Sequence, residues 1–307
     1  MSEFGFESLP NIKTIESFTD VEDRNLFSYI MEKHQKNPDG NTKILTYLAN
    51  NFQNPKDFPS LVYTSQILQA EAMRYGVEHW RRNRGRCMGA LYWQLNDCWP
   101  TSSWSSIDYH GRWKALHYAA KKFYASILLS AKEDGTNIEL HLSNETLHDW
   151  DGSVSWYLMK KDGEIIQQDI FSVNINKLSS TQLLTKEFEL EDSRNVIFYF
   201  RLEKGGEIIS NGSVLFEPAK YFNFLDPKLA LKIDETEEHF QIKVHSKSFA
   251  KYVELSIKDL DIVFSDNYFD VPVGEEIVVS INKAEYPSLT VKSLDENIVV
   301  RSYFDSY

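Results

Sequence analysis

The chain has 307 residues, of which 42% are hydrophobic and 25% charged, the usual mixture of a globular protein with two or three domains. Its formal net charge is −12, and this acidity argues against nucleic acid as a partner because phosphate binding needs a basic face. No stretch approaches the roughly 20 apolar residues that span a bilayer. The composition therefore predicts a cytoplasmic protein without a membrane partner.

The two cysteines, Cys87 and Cys98, are too few for a disulfide framework, and their spacing matches no zinc motif. Sequence motifs for nucleotide or dinucleotide binding, and for zinc-protease or serine-hydrolase catalysis, do not occur. We therefore expect two reduced thiols and neither a metal nor another cofactor.

The first 129 residues alternate helical patterns with one short apolar run. Helices are predicted at 21–36, 42–53, 60–82 and 112–124, and a strand buried on both faces is predicted at 86–95. A helix, a buried strand, a loop and a helix in this order are typical of a βα barrel or a doubly wound sheet. Residues 1–129 are therefore predicted to be an α/β domain.

After residue 130 the apolar residues recur with period two, as they do in half-buried strands. With turn signals at short intervals, this pattern predicts a β-sandwich over 130–218. A segment between two prolines, 218–228, is predicted to link it to a second sandwich over 219–307, with one of its strands at 289–294. The whole chain is thus predicted to be multidomain, α/β plus all-β.

The loop after the predicted strand combines aromatic and polar side chains. Trp93 lies at the end of the strand, and Gln94, Asn96 and Asp97 follow it. Aromatic faces can pack against sugar rings, while amide and carboxylate groups bond hydroxyls. The same composition also fits a loop that packs its own aromatic residues down as a lid. The residues alone therefore leave carbohydrate binding and lid packing open.

The N-terminal stretch S-E-F-G-F-E-S-L-P carries two carboxylates, Glu3 and Glu7. A Glu near a chain end is usually a solvated surface charge, and the residues alone predict this for both. If the stretch instead follows a barrel strand, Glu3 would lie at the C-terminal end of that strand. The catalytic groups of βα barrels lie at those ends.

Two stretches resemble a known family. S-E-F-G-F-E-S-L-P, starting at residue 2, is similar to the segment that holds the catalytic nucleophile in β-mannosidases of glycoside hydrolase family 2. G-A-L-Y-W-Q-L-N-D-C-W-P, starting at residue 89, resembles the last barrel strand and the following loop of those enzymes. The segment 264–271 resembles part of their C-terminal immunoglobulin-like domain, so the resemblance covers nearly the whole chain.

This resemblance implies a retaining glycosidase in which Glu3 is the nucleophile that attacks the anomeric carbon of a β-mannoside. It implies that Trp93 walls the subsite for the terminal sugar and that Gln94, Asn96 and Asp97 help to shape it. Glu7 matches no catalytic position. For the fold, it implies a partial (β/α)8 TIM barrel, namely its last two βα units, followed by two immunoglobulin-like β-sandwiches.

A retaining glycosidase needs a second carboxylate about 5–5.5 Å from the nucleophile. The family's acid/base Glu lies on an earlier barrel strand, which matches nothing in these 307 residues. The chain alone is therefore expected to be inactive on β-mannosides and manno-oligosaccharides. It could be a C-terminal enzyme fragment, a subunit that completes a barrel with a separate N-terminal chain, or a non-catalytic carbohydrate-binding or interaction module. An open barrel edge is expected to be propped by the first sandwich, by self-association or by rearrangement.

Overall fold

The computed structural model describes all 307 residues, and β-sheets make up most of its regular structure. The α-helices are α1 (Ile12–Glu16), α2 (Tyr29–Lys33), α3 (Gly40–Asn51), α4 (Phe58–Arg82), α5 (Ala115–Phe123) and α6 (Val291–Asn297). The strands are β1 (Ile127–Asp134), β2 (Asn137–Asn144), β3 (Trp150–Lys160), β4 (Ile165–Ile175), β5 (Ser179–Glu187), β6 (Val196–Lys204), β7 (Glu207–Leu215), β8 (Ala230–Glu235), β9 (His239–His245), β10 (Ala250–Ile257), β11 (Phe269–Val271), β12 (Ile277–Asn282) and β13 (Ile298–Arg301). No candidate membrane span occurs among these helices.

Strands β1 to β7 form two antiparallel sheets, in the orders β1-β2-β5 and β4-β3-β6-β7. A core of 17 buried residues lies between them. Trp156 on β3 stacks on Phe198, with ring centroids 5.7 Å apart, and meets Phe188 edge-on. The β3–β4 and β6–β7 connections are tight turns with positive φ at Gly163 and Gly205, where a side chain would be strained. The predicted alternation therefore produces a sandwich here.

Strands β8 to β13 form a second pair of antiparallel sheets, β12-β9-β8 and β11-β10-β13, around 15 buried residues. The predicted strand at 289–294 is wrong, because most of it belongs to α6. Thr290 and Ser293 form a reciprocal capping box that starts this helix, and Leu294 is its one buried residue. A half-buried strand would bury every second side chain of this segment, whereas a short helix can rest on the core through Leu294 alone.

The predicted helix at 21–36 is also wrong. Only a 3₁₀ turn, Val21–Asp23, and the short helix α2 form there. The Asn25 side chain accepts a hydrogen bond from Phe27 N at 3.0 Å, and Ser28 caps α2 by accepting one from Met31 N at 3.2 Å. These side chains bond the backbone locally and so compete with a continuous helix.

The apolar run at 86–95 does not become the strand buried on both faces that was predicted. Its one strand-like pairing is a parallel bridge between Tyr92 and Phe4. Leu91, Trp93 and Leu95 are 68%, 50% and 55% exposed. The side chains alternate as in a strand, but the face carrying these three residues has no layer packed on it. A strand with one neighbour and one covered face cannot bury both sides.

Leu140 belongs to the core of the first sandwich and has no exposed surface. Shortening this side chain therefore tests the described fold. We expect Leu140→Ala to lower the free energy of unfolding by about 2–5 kcal/mol, because it leaves a cavity in a packed core. The matched control is Leu147→Ala, since Leu147 is 70% exposed and should change the stability by less than about 0.5 kcal/mol. Urea unfolding followed by far-ultraviolet circular dichroism measures both. Equal losses in the two variants would contradict the described core.

Candidate functional site

The N-terminal segment is held by the polar face of α4. Gln69 accepts a hydrogen bond from Ser8 Oγ at 2.7 Å and donates one from Nε2 to Phe6 O at 2.8 Å. Ser65 Oγ accepts a bond from Leu9 N at 3.2 Å. Gln69 and Ser65 are both fully buried, so these bonds are shielded from water, and they fix the segment along the helix.

Phe4 and Tyr92 set which way the two neighbouring segments face. Trp93 N donates to Phe4 O at 2.8 Å, and the side chains of Phe4 and Tyr92 pack against the apolar cluster between α4 and α5. Because successive side chains of an extended segment point to opposite faces, Glu3 and Trp93 share the other, open face. Glu3 is exposed, and half of the Trp93 surface is accessible.

Gly5 lets the two segments approach each other. A Cβ at this position would overlap the Trp93 carbonyl oxygen and lie 2.8 Å from Cδ1 of Trp104. A larger residue would therefore push the Glu3 segment away from Trp93 and Trp104. The glycine between Phe4 and Phe6 is a requirement of this contact.

Asp97 organises the loop that follows Trp93. It is 5% exposed. Its carboxylate accepts hydrogen bonds from Ser103 Oγ at 2.8 and 2.9 Å, from Ser105 Oγ at 2.6 Å and from Gln94 Nε2 at 3.1 Å. Both carboxylate oxygens are thus occupied within the protein. Among the sequence candidates Asp97 lies behind the open face and orients its neighbours from there.

Gln94 and Asn96 lie nearer to solvent. Gln94 is half-buried and Asn96 exposed. Gln94 Nε2 also donates to Asn96 O at 3.1 Å, and Asn96 Nδ2 donates to Asp97 O at 3.3 Å. Four of the five sequence candidates, Glu3, Trp93, Gln94 and Asn96, therefore retain accessible surface.

The prediction for Glu7 that was made from the residues alone is wrong. Glu7 was expected to be a solvated surface charge, but it is 6% exposed. Asn37 Nδ2 donates to its Oε2 at 2.9 Å, and a Cβ at Gly40 would lie 2.8 Å from the same oxygen. Burial raises the pKa of the Glu7 carboxyl, and the Asn37 hydrogen bond with the charges of Lys43 and Lys114 opposes that rise.

Lys114 is a residue that the sequence reading missed. It precedes α5, has no exposed surface, and its ammonium has no hydrogen-bond partner. Burial lowers its pKa to about 8, although the nearby charges of Asp97, Asp108 and Glu7 act to raise it. Lysine is almost always exposed, so this residue carries no sequence signal for burial.

The other tryptophans mostly serve packing. Trp80 on α4 receives the ring of Phe4 edge-on at 4.4 Å, and Trp99 lies 4.9 Å from the ring of His34. In the first sandwich Trp156 is in the core, and Trp150 packs against that core. The described sandwiches therefore present no exposed row of tryptophans on which a sugar chain could stack.

Family profiles and relatives agree on the class of protein. Residues 136–221 match a family described as a mannosidase Ig/CBM-like domain, and residues 224–306 match an Ig-fold domain family of mannosidases. β-Mannosidase B of Aspergillus niger is 29% identical over 91% of this chain, and the β-mannosidase of Mus musculus is 28% identical over 88%. The chain spans about a third of the length of these relatives, 36% and 33%.

A solved structure is similar over almost all of the chain. The crystal structure of β-D-mannosidase from Dictyoglomus thermophilum superimposes with a TM-score of 0.92 at 26% identity, covering 99% of this chain and 37% of that one. An exo-chitosanase from Amycolatopsis orientalis, at a TM-score of 0.78 and 15% identity over 97% of this chain and 40% of its own, shares the fold. The class is thus a glycosidase-related protein with mannosidase-type immunoglobulin-like sandwiches. More narrowly, the chain is similar over almost its whole length to a C-terminal portion of the β-mannosidases of glycoside hydrolase family 2.

The buried amine of Lys114 predicts a pH effect on stability. In the unfolded chain lysine keeps its proton to about pH 10.4, whereas in the folded chain Lys114 loses it near pH 8. Between these values the unfolded state binds more protons, so the free energy of unfolding rises with pH. We expect a rise on the order of 1–2 kcal/mol from pH 7.5 to 9.5, measured by urea unfolding followed by tryptophan fluorescence.

Five of the seven tryptophans lie between residues 80 and 113, so this signal reports on the region around Lys114. Lys114→Met should remove the rise. The matched control is Lys292→Met, because the Lys292 side chain is 84% exposed, and this variant should keep it. An unchanged rise in Lys114→Met would show that another group causes it.

Proposed function

We propose that this chain supplies part of the active site of a retaining β-mannosidase, with Glu3 as the nucleophile. The observation that carries the proposal is the pairing of Phe4 with Tyr92, whose side chains pack inward. Glu3 and Trp93, each one residue away from this pair, therefore lie on the opposite, exposed side of the two segments. A carboxylate beside an exposed aromatic ring suits a sugar whose apolar face lies on the ring.

In this mechanism the Glu3 carboxylate attacks the anomeric carbon of a terminal β-mannosyl unit, and the bond from that carbon to the leaving-group oxygen breaks. The resulting covalent mannosyl-enzyme is hydrolysed by water, which restores the β configuration. Trp93 would wall the subsite, and Gln94 and Asn96 would bond sugar hydroxyls. Asp97 would shape the subsite from behind through Gln94.

For the architecture, we propose that residues 1–129 are the last part of a TIM barrel and that 130–218 and 219–307 are two immunoglobulin-like domains. The superposition on the Dictyoglomus thermophilum enzyme over 99% of the chain supports this division. The exposed row of Leu91, Trp93 and Leu95 fits the inside of a barrel whose other strands come from elsewhere. The partner of this face would be the N-terminal part of a β-mannosidase.

The 307 residues alone are proposed to be inactive, because they contribute one of the two carboxylates that the chemistry needs. The purified chain should therefore not release nitrophenol from p-nitrophenyl β-D-mannoside above background. Adding the N-terminal two thirds of a β-mannosidase relative should restore turnover. In the restored enzyme Glu3→Gln should lower kcat by about 1,000-fold or more, because the attacking group is lost.

The matched control is Glu22→Gln, an exposed glutamate in the same region, which should leave turnover within about twofold. Azide should restore turnover to Glu3→Ala by replacing the missing carboxylate, and the product should be the α-mannosyl azide. Turnover by the chain alone would contradict the proposed inactivity. A restored enzyme that keeps its activity with Glu3→Gln would contradict the proposed nucleophile.

A further inference from the structure

The side-chain amide of Gln94, which follows Trp93, keeps accessible surface and is oriented by two acceptors within its own loop. Its Nε2 donates to Asp97 Oδ1 and to Asn96 O, both at 3.1 Å. An ionised carboxylate and a peptide carbonyl are acceptors only. The end of the Gln94 amide that faces these two acceptors must therefore be its NH₂ group, and the oxygen Oε1 points away from them.

Asp97 is itself held in place by two serines. Ser103 Oγ and Ser105 Oγ both donate to it, at 2.6–2.9 Å. Both of its oxygens accept hydrogen bonds within the chain, and its side chain is 5% exposed. Asp97 therefore acts as a fixed acceptor.

The serines that hold Asp97 are themselves fixed. Ser103 and Ser105 are fully buried, and Ser103 pairs its backbone with that of Ser8 in the N-terminal segment. Ser103 Oγ also accepts a hydrogen bond from Ser105 N at 3.0 Å. The orientation of Gln94 is thus tied, through Asp97 and Ser103, to the segment that carries Glu3.

Gln94 Oε1 accepts no hydrogen bond from within the chain, whereas both hydrogens of its Nε2 are committed. Gln94 also lies directly after Trp93 and keeps accessible surface. A substrate hydroxyl that contacts this side chain can therefore donate a hydrogen bond to Oε1. It cannot accept one from Nε2, because both hydrogens of that atom are already bonded within the chain.

We propose that Gln94 is a specificity-determining residue that accepts a hydrogen bond from one hydroxyl of the terminal sugar, and that Asp97 is the positioning residue that fixes this polarity. The sugar contact rests on the proposed function, whereas the orientation of the amide does not. A sugar that lacks this hydroxyl, or carries fluorine there, would leave Oε1 without its donor and bind less well in the transition state.

The orientation can be tested on the 307-residue chain alone. With ¹⁵N-labelled glutamine, the Gln94 side-chain N–H signals should exchange with solvent at least about 10-fold faster in Asp97→Ala than in the unchanged chain. The control is Asp151→Ala, because the Asp151 side chain is 70% exposed and lies on the first sandwich. Ser105→Ala, which keeps the Gln94 contact, should give an intermediate rate, and it serves as the second variant if Asp97→Ala does not fold. Unchanged Gln94 exchange in the folded variants would overturn the positioning role.

The sugar contact is tested in the enzyme restored with an N-terminal β-mannosidase part. Four p-nitrophenyl β-mannosides that lack the 2-, 3-, 4- or 6-hydroxyl are compared with the parent substrate, for unchanged Gln94 and for Gln94→Met. One deoxy substrate should lose about 10- to 100-fold in kcat/KM with Gln94, and that loss should shrink to within about threefold with Gln94→Met. If the loss from removing the hydroxyl and the loss from Gln94→Met simply add for all four substrates, the contact is overturned.

The two arms separate the inference from the proposed function. A restored pair without any turnover would contradict the proposed function, and the exchange measurement would then decide the orientation of Gln94 by itself. If the restored pair turns over but the losses from the deoxy substrates and from Gln94→Met simply add, the proposed function stands and the specificity role of Gln94 is overturned.

Discussion

The long helix α4 is the element on which the other parts of the structure depend. It is 25 residues long and buried along much of its length. Tyr63 donates from its hydroxyl to Tyr252 O at 2.5 Å in the second sandwich, and Arg82 Nη1 donates to Ala131 O at 3.1 Å in the first. Gln69 and Ser65 bond the N-terminal segment. One helix therefore holds the segment with Glu3 in a constant relation to both sandwiches.

The contact between α4 and the second sandwich is built from a buried tyrosine, Tyr63, and half-buried polar groups around it. Glu254 accepts a hydrogen bond from Tyr268 OH at 2.7 Å and forms an ion pair with Arg301, and Arg301 lies 4.2 Å from the ring centre of Tyr63. Burial of such groups is costly unless every member has a partner. When they are all satisfied, they permit one relative placement, because a small rotation would leave several of them unpaired.

The open face depends on this placement. Phe4 and Tyr92 fill the space between α4 and α5, and the opposite sides of the same two segments then carry Glu3 and Trp93. The loop after Trp93 buries the Asp97 carboxylate, which holds Gln94 Nε2 and leaves Gln94 Oε1 without a partner in the chain. Nothing in this arrangement needs a regular sheet, since one backbone pairing and one helix surface are enough to fix two side chains.

The sequence alone determined much about this protein. Period-two patterns and turn residues located both sandwiches, helical periodicity located α4, and the stretches around Glu3 and Trp93 pointed to the family. Each is a local property that short segments carry in their own residues.

Tertiary structure decided what those segments do together. The run at 86–95 reads as a buried strand, but burial depends on which layers cover it, and 289–294 reads as a strand, although its cap and its single buried residue favour a helix. Glu7 and Lys114 have the composition of surface residues and are buried because distant segments close over them. Burial and hydrogen-bond partners come from residues far apart in the chain, so no pattern within one segment can reveal them.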